Sequence, residues 1–308
     1  MGKQAAQTVF GVAAVLFLLA PIVAIVPLAF TSSTFLNYPI DSYSLRWFDQ
    51  LATDATWRRS IGNSLIIGGS ATALSLALGI LAALGLRGNS LPFAGVFRTL
   101  FLLPMVVPAV VLGIGMQILF VRLGLASSYL GVILAHTVLC VPFVVVSVSA
   151  SLLGINPSVE RAAMSLGAPP WTVFRRVTLP LSMPGVVSGA VFAFATSLDE
   201  VVITLFVAGP NQRTLARQMF ASIRENISPV VAAAALLLIL STLLLAAAAF
   251  MRSRRAQDRA LSVSPADACG RQTGSHHSAG VRPLQGADAP PAWRVQCSAI
   301  YACGCDTL

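Results

Sequence analysis

The sequence predicts an all-α polytopic membrane protein with six transmembrane helices. Of its 308 residues, 56% are hydrophobic and only 10% are charged, and the mean hydropathy is +0.81. Soluble domains are about one quarter charged, so this composition excludes an ordinary soluble fold. Six hydrophobic runs are long enough to cross ~30 Å of hydrocarbon, and the alternation of a transmembrane β-barrel is absent. The runs lie at about 10–30, 63–86, 99–121, 130–153, 185–207 and 229–251.

Positive charge is spread along the chain rather than gathered on one face. The net charge is +9, but the arginines fall in short loops and near the carboxyl terminus. This distribution excludes the basic face of a nucleic-acid-binding domain and is typical of a protein surrounded by membrane lipid. Ten Lys and Arg residues lie on the side of the amino terminus and seven on the other, so we expect both termini in the cytoplasm and the protein in the inner membrane. The ten are Lys3, Arg87, Arg98, Arg161, Arg175, Arg176, Arg252, Arg254, Arg255 and Arg259.

The hydrophobic runs divide the chain into three parts. Residues 1–9 are expected to form a cytoplasmic amino terminus and residues 10–255 a transmembrane domain. The first run has about 21 residues and no small-residue cleavage motif, which favours a retained anchor over a signal peptide. Residues 256–308 lack apolar periodicity and are rich in Gly, Ala, Ser and Pro, which predicts a disordered tail without function.

Most cysteines fall in this predicted tail. No C-x-x-C pair is present, and no folded domain surrounds the cysteines and the two nearby histidines, so the pattern does not favour a metal site. Thiols in a cytoplasmic tail should stay reduced. Cys140, inside the fourth run, is interpreted as a small apolar core residue. The tail residues concerned are Cys269, Cys297, Cys303, Cys305, His276 and His277.

The residues needed for bond-making chemistry are missing from the sequence. Lysine occurs once, at Lys3, so the chain has no Walker A loop for nucleotide hydrolysis. Neither an H-E-x-x-H zinc motif nor a G-x-S-x-G nucleophile motif is present. The sequence therefore predicts that the chain is not an enzyme.

A half-polar insert separates the fourth and fifth runs. Good helix formers over 158–166 predict one short helix, and Gly167 with the following Pro-Pro pair predicts a tight corner. A second helix is expected over 170–177, with an apolar stripe, a basic flank and an end at the Leu179-Pro180 dipeptide. An amphipathic pair of this kind predicts a docking surface for a partner protein.

Ionisable residues within a hydrophobic run are candidates for function, because each costs ~3 kcal/mol or more to place in hydrocarbon. Asp199 and Glu200 lie about fifteen residues into the fifth run, and adjacent helix positions point in different directions. One carboxylate can therefore face a water-filled path that attracts a cation, while the other pairs with a donor. Alternatively, both are bound by donors and only stabilise the bundle. Gln117 and His136 are expected to make hydrogen bonds between helices more often than to serve transport.

Two segments outside the runs have helical patterns. A short interfacial helix is expected around 45–51. The loop 209–228 has Leu215, Met219 and Ile223 at helical spacing, which predicts an amphipathic helix on the outer surface.

The insert resembles the "EAA" signature of ABC-transporter permease subunits. In that signature E-A-A is followed by three residues, a glycine, nine further residues and I-x-L-P. One departure concerns the acid: Arg161 takes its place, and the acid stands one residue earlier, at Glu160. The matching residues are Ala162, Ala163, Gly167, Val177, Leu179 and Pro180, with Ala168 beside the glycine.

The resemblance covers most of residues 8–251 and implies a MetI-like ABC importer permease architecture. It implies that residues 154–184 form a coupling loop that fits a groove of a cytoplasmic ATPase dimer. A second permease subunit and a periplasmic solute-binding protein are the other implied partners. ATP would be bound by the ATPase, with no cofactor in this chain.

Two stretches resemble the spermidine/putrescine permease branch in particular: "SLRWFDQLATDATWRRSIGNSLIIG" and "SLDEVVITLFVAGP". The resemblance implies that a polyamine cation meets Asp199 and Glu200 on its path. Related branches move opines, aminoethylphosphonate or ferric iron, so these solutes are alternatives. A secondary transporter or channel that works alone and a membrane scaffold are rival interpretations from other classes.

Overall fold

The computed structural model describes residues 2–87, 93–225 and 227–262, and the regular structure within them is helical. The single β-contact in these ranges is an isolated bridge between Thr31 and Tyr43. In chain order the helices are α1 (Gly2–Leu28), α2 (Arg46–Thr53), α3 (Ala55–Arg87), α4 (Ala94–Val106), α5 (Ala109–Arg122), α6 (Tyr129–Leu153), α7 (Pro157–Ser165), α8 (Pro170–Val173), α9 (Leu179–Asp199), α10 (Val202–Val207), α11 (Leu215–Glu225) and α12 (Val230–Ser262). A π turn, Phe174–Thr178, joins α8 to α9, and a 3-10 turn, Pro210–Gln212, precedes α11.

Five described helical segments are long and apolar enough to cross a membrane, and a bent pair makes a sixth if it is one crossing. The bent pair is α4 and α5, whose axes differ by 104°. The run at 99–121 therefore does not form the straight helix predicted for it. Pro108 explains the break, because a proline pushes the preceding residue, Val107, out of the helical region, and Val107 is extended with φ −71° and ψ 130°.

The centre of the bundle consists of α3, α6 and α9, which pack most extensively against one another. Small residues allow the close approach: a Cβ atom on Gly79 would lie 2.6 Å from the Val144 side chain, and one on Gly185 would lie 2.6 Å from the Ser147 carbonyl. Cys140 is buried there, as predicted, and its thiol donates to the carbonyl of Ala193 over 3.1 Å. Packing of backbones across small residues is the usual way for helices to associate in lipid.

A second apolar cluster joins the first half of α12 to α2, α3 and α11. The indole nitrogen of Trp47 donates to the carbonyl of Thr31 over 2.7 Å, which fixes α2. Leu215 and Trp57 are buried in the same cluster. The helices expected around 45–51 and within 209–228 are therefore both present, as α2 and α11.

The helices at the two ends of the chain are longer than the hydrophobic runs predicted. α1 starts at Gly2, and no part of its apolar stretch Ala5–Leu28 is buried within the chain. α12 continues to Ser262, past the predicted start of the tail at 256. Residues 263–308, with the four tail cysteines and both adjacent histidines, lie outside the described residues.

Candidate functional site

The first helix of the insert, α7, has well-defined ends. Its start is fixed by Asn156, whose side chain accepts a hydrogen bond from the backbone N–H of Ser158 over 3.0 Å. At its end Gly167 has φ +84°, a left-handed conformation that glycine adopts without strain. The N–H of Gly167 donates to the carbonyl of Met164 over 2.9 Å, and the N–H of Ala168 donates to the carbonyl of Ala163 over 3.2 Å. The sequence correctly predicted this corner.

The second insert helix does not end at Leu179-Pro180, and that prediction is wrong. Helix α8 passes through the π turn directly into α9, so that helix is continuous from Pro170 to Asp199. Pro180 has no N–H, and in an α-helix its ring would clash with the carbonyl four residues earlier. The π turn accommodates this proline by widening the helix, since the N–H of Leu179 bonds to Phe174 five residues back.

Glu160 is the polar centre of the insert. One of its carboxylate oxygens lies 2.6 Å from Nη1 of Arg87 and 2.6 Å from the hydroxyl of Thr178. Arg87 also donates through Nη2 to the carbonyl of Ile155 over 3.1 Å. We name Arg87, Glu160 and Thr178 the clasp. It joins α7 to the end of α3 and to the π turn before α9, and it contains the one ion pair found within the described ranges.

The charge state of Glu160 follows from these contacts. Burial, the largest influence, by itself favours the neutral acid. Hydrogen bonds from Thr178 and Arg87 and the positive charge of Arg87 together outweigh it, so the pKa of Glu160 is below its ordinary value. The carboxylate is therefore ionised at neutral pH, and the positive charge of Arg87 balances its negative charge.

The outward surface of the insert is apolar and cationic. Leu166 is 90% exposed and Trp171 is 68% exposed. Arg161 is also exposed, as are Arg175 and Arg176, whereas the side chain of Glu160 is only 21% exposed. Behind this surface, a cavity of about 690 Å³ lies between the insert and the end of α3. An exposed aromatic and aliphatic surface of this kind is what a partner-binding helix presents.

The predicted coupling-loop residues are distributed over both sides of the insert. Those that the structure leaves exposed are Arg161, Ala162, Gly167 and Pro180, and those at least partly covered are Glu160, Ala163, Ala168, Val177 and Leu179.

The fifth hydrophobic run is broken at the two acidic residues. Asp199 is the last residue of α9, and Glu200 has extended backbone, with φ −71° and ψ 112°. The Glu200 carboxylate accepts a hydrogen bond from the N–H of Ile203 over 2.7 Å and so caps the short helix α10. Asp199 is exposed. The two acids predicted as candidates for the solute path therefore lie side by side where the helix is interrupted, with Asp199 exposed and Glu200 bonded to Ile203.

His136 on α6 binds both sides of this break. Its Nδ1 lies 2.7 Å from the hydroxyl of Ser197 on α9, and its Nε2 lies 3.1 Å from the hydroxyl of Thr204 on α10. Thr204 in turn donates to the carbonyl of Glu200 over 3.1 Å. The imidazole is completely buried. The expected interhelical hydrogen bonds of His136 are thus present, while Gln117 is exposed.

Comparison with known proteins identifies the class. Residues 75–257 match the model of the family described as the binding-protein-dependent transport system inner membrane component. The chain belongs to this family. It is an ABC-transporter inner-membrane permease subunit, and the family is one of transport permeases rather than enzymes.

Three relatives illustrate the similarity. The permease is 36% identical over 222 residues to the putrescine transport system permease PotI of Escherichia coli K12, covering 70% of this chain and 79% of the relative. It is 31% identical over 219 residues to the spermidine/putrescine transport system permease PotC of the same organism, covering 70% and 81%. The molybdenum transport system permease ModB of Mycobacterium bovis is 36% identical over 211 residues, covering 62% and 80%.

Solved structures support the fold. A bacterial ABC transporter involved in the import of alginate superposes with a TM-score of 0.65 at 18% identity, covering 82% of this chain and 95% of that one. The MetNI methionine ABC transporter superposes with a TM-score of 0.55 at 19% identity, covering 65% and 95%. The all-α, MetI-like permease architecture expected from the sequence is confirmed.

Sequence reasoning missed two members of the clasp. In the sequence, Arg87 stands out only as a charge at the end of a hydrophobic run, and Thr178 occupies the unspecified position of the I-x-L-P pattern. A basic residue ending an apolar helix and an isolated acid in the insert were the available signals. Their pairing required the fold, because the two residues are 73 positions apart in the permease.

Proposed function

We propose that this permease carries a polyamine, putrescine or spermidine, across the inner membrane as part of an ATP-driven importer. The observation that carries the proposal is the similarity to PotI and PotC over more than two thirds of the chain. The exposed carboxylate of Asp199, at the break between α9 and α10, supports it, because a carboxylate in an apolar span attracts a cation. Both termini of the chain would lie in the cytoplasm.

Coupling to ATP would occur at the insert. A cytoplasmic ATPase dimer would bind the exposed surface around Leu166 and Trp171, and ATP would be bound by that partner rather than by this chain. Because Glu160 holds both Arg87 and Thr178, a displacement of α7 would move α3 and α9 together. The bundle would then alternate between inward-open and outward-open states.

Two further partners complete the proposed importer. A second permease subunit would cover apolar surfaces that this chain leaves exposed, such as the face of α5 that carries Val111 and Ile118. A periplasmic solute-binding protein would deliver the polyamine to the outer side. Asp199 and Glu200 would lie on the solute's route, with Asp199 facing it and Glu200 holding the break.

The test is reconstitution of the full assembly in proteoliposomes with ATP inside and the solute-binding protein outside. Radiolabelled putrescine or spermidine should accumulate only when the ATPase is present, and the loaded binding protein should stimulate ATP hydrolysis. Accumulation without the ATPase would indicate a secondary transporter. Stimulation by molybdate, ferric iron or an aminophosphonate, with none by polyamines, would replace the proposed solute.

A further inference from the structure

The end of the molecule opposite the insert carries a cluster of arginines. One segment that is long and apolar enough to cross a membrane, Pro170–Asp199, lies between α7 and α11 in the chain, so we infer that α7 and α11 lie on opposite sides of the membrane. Two neighbouring cavities, of about 300 and 420 Å³, open there and share Arg213. We name Arg59, Arg213, Arg217 and Arg224, which line these cavities, the arginine surface.

The loop that carries Arg213 is held firmly. The amide nitrogen of Asn63 donates to the carbonyls of Asn211 and Arg213, both over 2.8 Å, and the N–H of Leu215 donates to the hydroxyl of Ser64 over 2.8 Å. Asn63 itself is buried. A loop fixed by buried hydrogen bonds presents its side chains in a defined position, as a binding surface requires.

The arginine surface has an excess of positive charge. Among the residues that the structure describes, none of its four guanidinium groups forms a salt bridge. Arg217 donates to the carbonyl of Ala208 over 2.7 Å, which leaves its charge uncompensated. Arg213 and Arg217 line the same cavity, and burial, with a smaller contribution from the charge of Arg213, lowers the pKa of Arg217. One acid, Glu225, lines the 420 Å³ cavity, and no acid among the described residues lines the 300 Å³ cavity.

A polyamine cannot be the ligand of this surface, because like charges repel by about 1 kcal/mol per pair at ~4 Å even in water. A protein that receives a polycation, in contrast, needs carboxylates around the opening of its site. We propose that the arginine surface binds these carboxylates on the solute-binding protein, an inference that rests on the proposed function. The guanidinium groups then compete with the solute's ammonium groups for the same carboxylates, so docking weakens the hold on the solute.

The proposal is tested on the complete importer in nanodiscs, with the affinity of fluorescent solute-binding protein measured for the wild type and for the Arg59→Gln, Arg213→Gln double variant. We expect Kd to rise roughly tenfold or more, as for loss of interfacial charge pairs. The Kd of the wild type should also rise more steeply with salt than that of the variant. Arg213→Lys should retain most of the affinity. Arg122→Gln, which removes an exposed arginine outside both cavities, is the matched control and should leave Kd unchanged.

Two results would overturn the proposal. One is an unchanged Kd in the double variant while the wild type still hydrolyses ATP in response to polyamine-loaded binding protein, an outcome that leaves the proposed function intact. The other is an equal loss of affinity in Arg122→Gln, which would show that binding depends on the total positive charge of the permease and not on the arginine surface. Failure of the wild type to respond to any polyamine would instead reject the proposed function. Intact assembly of each variant with the ATPase, checked by size-exclusion chromatography, excludes misfolding.

Discussion

Glu160 in the first turn of α7 and Glu200 at the break between α9 and α10 both accept hydrogen bonds through their carboxylates, but from different kinds of donor. Glu160 accepts from a charged arginine on α3 and from a hydroxyl next to α9, so it joins segments that are distant in the sequence. Glu200 accepts from a backbone N–H three residues ahead of it. Glu160 thus ties the insert to the bundle, whereas the Glu200 carboxylate stabilises only the start of α10, and it is His136 that joins the two sides of the break to α6. Under the proposed function, the insert would transmit movement to the bundle, and the break would lie beside an exposed acid, Asp199.

The largest expected effect concerns the corner at Gly167. Gly167→Arg should reduce the affinity for the ATPase roughly 30-fold or more, as for loss of an interface hot spot, and abolish uptake. No atom lies within 4 Å of the position of a Cβ atom there, so the arginine would project outward without a clash inside the chain. Co-purification of the ATPase and solute uptake are the measurements.

Gly167→Ala is the matched control for that substitution. Both substitutions place a Cβ atom on a residue whose φ is +84°, so both should introduce the same backbone strain of ~1 kcal/mol or more. Since alanine adds little bulk, the alanine variant should keep most of its ATPase binding. Equal losses in both variants would show that backbone strain, and not docking, explains the effect.

The second prediction concerns the clasp. Glu160→Ala leaves the positive charge of Arg87 unpaired at a partly buried position, which should cost about 1–3 kcal/mol, between the values for surface and buried pairs. ATP hydrolysis should continue while uptake per ATP falls, because α7 no longer moves α3 and α9 together. The ratio of solute to ATP in proteoliposomes measures this coupling.

A double variant distinguishes coupling from simple loss of stability. Adding Arg87→Met to Glu160→Ala removes the unpaired charge and should restore thermal stability in part. It should not restore coupling, because the link between the helices is still missing. Recovery of both properties would contradict a mechanical role for the clasp.

Hydrophobic length predicted most of the fold, because bilayer thickness fixes how many apolar residues a span needs. It could not predict the 104° bend between α4 and α5, since an apolar run carries no information about direction. The rule that proline ends a helix failed at Pro180, where a π turn accommodates the ring. The pairing of Arg87 with Glu160 could not be predicted either, because the two residues are 73 positions apart and meet only in the folded bundle. The roles of the coupling loop and of Asp199 stay predictions.

The third prediction separates the two acids at the break. Asp199→Asn should raise KM for the polyamine roughly tenfold, equivalent to ~1.4 kcal/mol, because an exposed attractive charge is removed. Glu200→Gln should leave KM nearly unchanged and lower stability by about 0.5–1 kcal/mol, since an amide still accepts from Ile203 but lacks the charge favoured at a helix start. Uptake kinetics and thermal unfolding report the two effects. Reversed assignments would place Glu200, rather than Asp199, on the solute's route.

The smallest effect is a dependence of stability on pH. The pKa of Glu160 is lower in the folded protein than its ordinary value, so its contribution to stability is fully present above that ordinary value and is lost as pH falls through the folded pKa. The melting temperature of the purified permease should therefore decline on acidification below about pH 4.5, where an unperturbed Glu is about half protonated. In Glu160→Gln this part of the decline should disappear, because the amide does not titrate. An identical pH profile in Glu160→Gln and the wild type would mean that the negative charge of Glu160 does not contribute to stability. The side chain would then act only as a hydrogen-bond acceptor, as the Glu200 side chain does for the N–H of Ile203.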